Sequence, residues 1–174
     1  YIYNKTLQDS RSYIYYPYDK SWNTIGRAVV NVITAVPSGC KIRRVTSNEG
    51  DLEKYMADQV LEGYTGSDTT LTVPMGVTKI ALTKKSAQVT KLSIPQSVSA
   101  ADTKTIAENL PNLTDYVAAD SEKELVLAGY KIIDGVLYSA DGKTLLSVPA
   151  GKTNVTVPET VTNLAKDCFR GMSK

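Results

Sequence analysis

Three short phrases share one order of apolar and polar positions: Leu71-Thr-Val-Pro74-Met-Gly-Val77, Leu92-Ser-Ile-Pro95-Gln-Ser-Val98 and Val155-Thr-Val-Pro158-Glu-Thr-Val161. Each reads apolar, polar, apolar, proline, two variable residues, valine. In an extended segment alternate side chains point to one face, so the first and third positions of each phrase face a core. The proline lacks an N–H and ends regular pairing, and the valine three residues later returns the chain inward. Pro74 and Pro95 are 21 residues apart, and Pro95 and Pro158 are 63 apart, three times that period. Leu110-Pro-Asn-Leu113-Thr places Leu113 a further 21 residues after Leu92, so apolar residues recur at 71, 92, 113 and 155. A unit this short cannot bury its apolar face alone, so the pattern predicts stacked turns of a solenoid.

Between the repeats the pattern changes. Residues 103–110 read as a short helical return, with Asp102 or Thr103 as its cap and Pro111 opposing its continuation. An insertion near 118–154 reads as a β-meander. Tyr130-Lys-Ile-Ile133 runs into Asp134-Gly135, Val136-Leu-Tyr-Ser139 into Asp141-Gly142, and Thr144 to Val148 forms a third strand. Asp-Gly between apolar runs is a strong hairpin signal, because glycine accepts positive φ. The first 57 residues are less regular, and two readings stay open. Tyr13 to Pro17 echoes Leu145 to Pro149, and Val36-Pro37 with Ile42 echoes Val73-Pro74 with Ile80, which would start the solenoid near residue 1. Alternatively residues 1–57 form a cap, with strands near 1–16 and a helix near 24–35. Asp51 to Leu61 reads as a further helix.

The phrases LSIPQSV and TVPETV, the segment DGVLYSADGKTLLSVPAGKTNVTVPETV and the opening GYTGSDTTLTVP (Gly63 to Pro74) resemble the BspA-like, or Treponema-type, leucine-rich repeats of bacterial surface proteins. The resemblance covers about residues 58–174. VTNLAKDCF matches the apolar positions of the family's core phrase at Leu164 and Phe169, while Val77 to Leu92 lacks its aromatic and Ile106 replaces it in the next unit. The resemblance implies a leucine-rich-repeat solenoid with short strands, irregular or helical returns and an inserted meander, α+β and rich in β. It implies an extracellular, secreted or cell-surface binding and adhesion module. The partner would be a host or neighbouring-cell protein or glycan.

Composition narrows the chemistry. The 174 residues contain no histidine, which removes serine and cysteine triads, HExxH zinc sites and an imidazole base. Cys40 and Cys168, 128 positions apart, are expected as separate thiols and cannot close a structural zinc site. Net charge is +2, and the basic runs Lys41-Ile-Arg43-Arg44 and Lys84-Lys85 are short, so no nucleic-acid face is expected. No apolar run approaches the roughly 20 residues of a membrane helix. Tyr1 in place of a starting methionine, and the expectation of another repeat after Phe169, lead us to expect a processed chain or a piece of a longer array.

Seven of the twelve Tyr and Trp residues lie in the first 22 positions. Tyr13, Tyr15, Tyr16, Tyr18 and Trp22 are therefore the candidate ligand-binding residues, because flat rings with polar tips stack on sugars and form protein hot spots. Ordinary strand propensity explains the same cluster. Asp120, Glu122 and Glu124 are the best acids for a carboxylate hydrolase, but they sit among Ser121 and Lys123 in a solvated run. No phosphate loop or EF-hand spacing is present. Three sequons, at Asn4, Asn112 and Asn154, carry no weight in a bacterial chain, which is what the resemblance implies. The expectation is a binding module without catalytic residue, metal or cofactor. The competing reading is a structural stalk that binds nothing itself.

Overall fold

The computed structural model describes residues 11–15, 28–32, 38–45, 58–119 and 129–172. Strands β1 (Arg11–Tyr15) and β2 (Ala28–Val32) pair antiparallel as a separate ribbon. β3 (Cys40–Val45) pairs antiparallel with β4 (Asp58–Tyr64), which starts the repeating part. Then follow β5 (Thr70–Thr72), β6 (Lys79–Ile80), β7 (Lys91–Ile94), β8 (Ala100–Ala101), α1 (Thr103–Asn109) and β9 (Asp115–Ala118). The meander is β10 (Tyr130–Ile133), β11 (Val136–Ser139) and β12 (Thr144–Ser147), and β13 (Asn163–Leu164) lies beyond it.

The chain is a β-solenoid in which each turn feeds two sheets. One sheet has the order β5-β7-β9 and is parallel; the other has the order β3-β4-β6-β8 and is parallel from β4 onward. Leu71 lies beside Leu92 in the first sheet and Leu61 beside Ile80 in the second, all at most 1% exposed. The two sheets close on one core with Val73, Val77, Val89 and Val98. The valine after each proline does return inward, since Val77 and Val98 are fully buried. The second strand of each turn went unpredicted, because two residues are too few to show a period.

The third unit keeps the stack but not the spacing. Leu92 lies beside Tyr116, 24 residues on, and not beside Leu113. A helical return explains the longer count: α1 rises about 1.5 Å per residue against about 3.3 Å for a strand, so more residues cover the same span. Asp102 caps α1 by accepting from the Thr105 N–H at 3.1 Å, as expected of that position. Leu113, Ile106 and Leu110 fill the core beneath this turn.

The meander forms where the pattern put it. Asp134 and Gly135 both have positive φ, 48° and 73°, as a two-residue hairpin turn requires. Its sheet separates two cores. Leu137 packs into the solenoid core, while Val136, Tyr138, Leu145, Val148 and Cys168 form a second one. β12 then pairs parallel with β13, so the last meander strand also serves as the first strand of a solenoid turn.

Four expectations are corrected. No strand forms at Val155 or Val157: no neighbouring strand pairs with residues 152–158 among the described residues, and Val157 is 41% exposed. Leu164 and Phe169 are also exposed, and Cys168 is the buried residue of that segment. The helix near 24–35 is replaced by β2, whose Val29, Val30 and Val32 favour a strand once β1 pairs with them. The helix over 51–61 gives way to β4, which has hydrogen-bonding partners on both sides in β3 and β6. Cys40 and Cys168 are separate free thiols.

Candidate interaction face

The parallel sheet β5-β7-β9 turns alternate residues outward in two rows. Register places Thr70, Lys91 and Asp115 in one row, and Thr72, Ser93 and Val117 in the next. Thr70, Thr72, Lys91 and Val117 are exposed, while their strand neighbours Leu71, Leu92 and Tyr116 are buried. Lys152 extends the first row: its ammonium lies 3.3 Å from Asp115 Oδ1. The Thr114 hydroxyl, and then Lys152, hold the Asp115 carboxyl below its ordinary range. The face thus mixes hydroxyls, one ion pair and an apolar residue, and none of these side chains carries the core.

Hydroxyl staples link successive turns beside this face. Thr90 donates to the Thr69 carbonyl at 3.4 Å, and Thr114 donates to the Thr90 carbonyl at 3.0 Å. At the other corner Ser97 donates to Val77 O at 2.8 Å, Ser99 to Thr78 O at 3.4 Å, and Ser86 to Tyr64 O at 2.6 Å. The Thr69, Thr90 and Thr78 carbonyls also accept backbone N–H groups from the next turn, so there the hydroxyl adds a further donor to a bond the backbone already makes. Thr69 and Thr90, and Thr78 and Ser99, recur at the repeat period of 21. That spacing was visible in the sequence, but it is masked by the many other threonines and serines.

The opposite sheet carries charge. Glu62 is gripped by Arg43 and lies 3.6 Å from Lys41, and the Arg43 hydrogen bond leads in lowering its pKa. Lys79 pairs with Asp58 at 2.7 Å. At the join between solenoid and meander, the Tyr116 hydroxyl meets Ser147 Oγ at 2.7 Å, fully enclosed. Burial pushes Tyr116 up to about 12.

Of the five aromatic candidates, Tyr13 and Tyr15 fall within the described residues, two positions apart on β1. Tyr13 lies opposite Val30 and Tyr15 opposite Ala28 in the β1–β2 ribbon. Tyr16, Tyr18 and Trp22 lie outside the described residues, as do Asp120, Glu122 and Glu124. Acids within the described residues have local duties. Asp102 caps α1, Asp141 accepts from Ser139 at 2.6 Å in its turn, and Glu108 pairs with Arg170 at 2.7 Å. Among the described residues no group of three or more Cys, Asp or Glu is placed to hold a metal ion, and no helix is long and apolar enough to cross a membrane.

No family model matches the chain, and no curated protein does. Among solved structures the chain is similar to a leucine-rich repeat protein from Eubacterium ventriosum ATCC 27560. The two are 24% identical, the match covers 59% of this chain and 27% of that one, and the TM-score is 0.41.

Proposed function

We propose that the chain is a binding and adhesion module of a bacterial cell surface that recognises a protein or glycan of a host or neighbouring cell. A solenoid of this kind is an interaction or structural module, since its faces vary without disturbing the stack. The observation that carries the binding reading is the outward face of β5-β7-β9, where hydroxyl, charged and apolar side chains are displayed on a buried leucine ladder. Thr70, Thr72, Lys91 and Val117 contribute nothing to the core, which leaves them available for a partner. The likeness of residues 58–174 to BspA-like repeats supports the surface location.

The test is a screen of the chain on glycan and extracellular-matrix arrays, with two variants alongside. One combines Lys91→Glu and Val117→Asp; the other changes Tyr13, Tyr15, Tyr16 and Tyr18 to Ala. Circular dichroism checks folding. A saturable hit lost in the folded face variant supports the proposal. A hit lost only in the tyrosine variant moves the site to the first 22 residues. A blank on every array favours a spacer.

A further inference from the structure

Lys41 and Lys84, from the two basic runs of the sequence, are 43 positions apart in the chain, and the fold sets them side by side. Lys41 pairs with Gly63 across β3 and β4, and the register then jumps, since Ile42 pairs with Leu61. Glu62 is therefore the extra residue of a β-bulge, which turns its carboxylate to the side of Lys41 and Arg43. Both reach it: Arg43 donates to Glu62, and the Lys41 ammonium lies 3.6 Å away. The next turn is fastened to the same residue. Thr83 sends its N–H to Glu62 O at 2.8 Å and its hydroxyl to the same oxygen at 3.1 Å. Lys84 follows at once, and a Cβ at Gly63 would stand 3.9 Å from Lys84 Cβ. Gly63 thus puts no side chain between the two lysines.

Lys41, Arg43, Lys84 and Lys85 gather around one carboxylate, and two of them already engage it. Lys84 and Lys85 are exposed and have no ion-pair partner among the described residues. The neighbouring carboxylates are taken as well: Asp58 by Lys79 at 2.7 Å and Glu108 by Arg170 at 2.7 Å. The surplus charge is carried on pinned backbone. Beyond the lysines, the Ser86 hydroxyl donates to Tyr64 O at 2.6 Å and its N–H to Asn109 O at 2.8 Å, so the loop holding Lys84 and Lys85 is fastened on both sides.

We propose that Lys41, Lys84 and Lys85 form a binding site for a sulfated polysaccharide chain, on a surface separate from the outward face of β5-β7-β9. Charge complementarity sets the sign of the partner. The spread of the cations sets its form. Lys41 and Lys84 lie on either side of β4, about two strand spacings or roughly 10 Å apart. A small anion meets one of them, whereas a chain with negative groups on successive sugars meets both. Exposed ammonium contacts are individually weak, so affinity follows the charge density of the chain, which is highest where the sugars carry sulfate. Lysines also present separate point charges, which suit groups strung along a chain; the Arg43 guanidinium, which could grip one anion by two bonds, is occupied by Glu62. Nucleic acid is the poorer partner. Among the described residues beside the cluster, Tyr64 is 5% exposed and offers no ring for a base to stack on. Helix α1 has seven residues and buries Ile106 and Ala107, so it is not free to enter a groove.

The experiment titrates the whole chain into fluorescein-labelled heparin at physiological ionic strength and follows anisotropy. Lys84→Gln with Lys85→Gln changes two exposed side chains and should leave the circular dichroism spectrum unaltered. Lys131→Gln with Lys143→Gln removes the same charge from exposed positions of the meander. The expected result is saturable binding, weakened at least about tenfold by the first pair and less than about twofold by the second. The salt dependence should flatten by about one unit of log–log slope per lysine removed from the site. Hyaluronan, which carries carboxylates and no sulfate, should bind at least about tenfold more weakly. Equal weakening by both pairs would reduce the effect to net charge, and equal binding of hyaluronan would remove the part of sulfate. Equally tight binding of an oligothymidine would assign the surface to nucleic acid, and no saturation would remove the site. Each of these overturns the proposal. Loss of heparin binding in Lys91→Glu with Val117→Asp, and not in the Lys84 and Lys85 pair, would move the anion to β5-β7-β9 and overturn it too.

Discussion

Residues 60–80 and 144–164 share a register, a proline phrase and a backbone hydrogen-bond scheme, yet one is a core and the other largely a surface. In the first, Leu71, Val73, Val77 and Ile80 lie between two sheets because β7 and β8 stack on them. In the second, Val155 and Val161 are half-buried against the meander core, and Val157 and Leu164 face solvent. The same local pattern thus yields a strand in one place and an irregular segment in the other. In a solenoid the pattern specifies which side chains turn inward, and the neighbouring turn decides whether a strand and a buried residue result.

The largest expected effects set the two stretches directly against each other. Leu71→Ala should cost about 3 kcal/mol, within the 2–5 found for fully buried leucine, and Ile80→Ala a similar amount. Their counterparts should cost far less: below about 1 kcal/mol for Val155→Ala and within about 0.5 for Leu164→Ala. Urea midpoints at constant slope measure all four. Equal losses at Ile80 and Leu164 would mean that Leu164 is covered in solution, and the contrast would collapse.

Next in size is Tyr116→Phe at the join between the two parts. The variant leaves Ser147 Oγ enclosed without its partner, at a cost of about 1–3 kcal/mol. Its pH behaviour has a definite sign. Burial favours the neutral phenol, so the folded pKa, about 12, lies above the ordinary 10.0. The stabilisation is then complete below pH 10 and is lost as the pH rises from 10 towards 12. Tyr130, also pushed up to about 12 by burial, adds to the same limb. Alkaline unfolding followed by circular dichroism should occur at higher pH in Tyr116→Phe than its lower neutral stability alone would give. Separate unfolding of the two parts at high pH would show that Tyr116 couples them.

Much of this was legible in the sequence, for reasons that can be traced to single residues. The proline phrases, Asp102 before the helix and Asp134-Gly135 at the hairpin are local signals, set by backbone geometry within a few positions. Tyr116 in place of Leu113 was not legible, because the extra three residues depend on how a helical return spans the gap. The fate of Val157 was hidden for a different reason: its sequence matches Val73, but among the described residues no strand stacks on it as β7 does on β5. The outward positions of β5 and β7 were legible as the polar residues Thr70, Thr72 and Lys91 that alternate with Leu71 and Leu92, whereas the tyrosine cluster stood out only by its composition.

A smaller pair of changes sharpens the comparison at the staples. Thr78→Val removes the hydroxyl of a buried residue, which accepts from the Gln59 N–H at 2.9 Å and whose proton is shared between Asp58 Oδ1 at 3.2 Å and Gln59 O at 3.4 Å. About 1 kcal/mol should be lost. Thr162→Val acts on an exposed staple that water can replace, and should stay within about 0.5 kcal/mol. A matching loss at both sites would show that the staple itself, and not its burial, holds successive turns together.

The smallest effect concerns the ion pair that ties the second stretch back to the first array. Lys152 corresponds to Asp68, which instead accepts locally from the Tyr64 hydroxyl at 3.3 Å, so the bridge to Asp115 belongs to the join alone. The Thr114 hydroxyl and Lys152 both favour the charged carboxylate, and the folded pKa lies below the ordinary 3.8. A depressed carboxylate stabilises the fold above the unfolded pKa and loses that stabilisation as the pH falls through the folded value. The loss should therefore begin near pH 4 and continue below it. Asp115 is partly open to solvent, so Asp115→Asn should cost only about 0.2–1 kcal/mol at neutral pH, and less in 0.5 M salt. Acid titration of both proteins at low and high salt measures this. If the pair closes the join, Asp115→Asn should flatten the acid limb at low salt and match the parent protein only once the pH is below the folded pKa of Asp115, where both side chains are neutral. An unchanged acid limb would leave the Tyr116–Ser147 contact, the Glu108–Arg170 pair and backbone bonds such as Gly151 N–H to Leu113 O to tie the two halves.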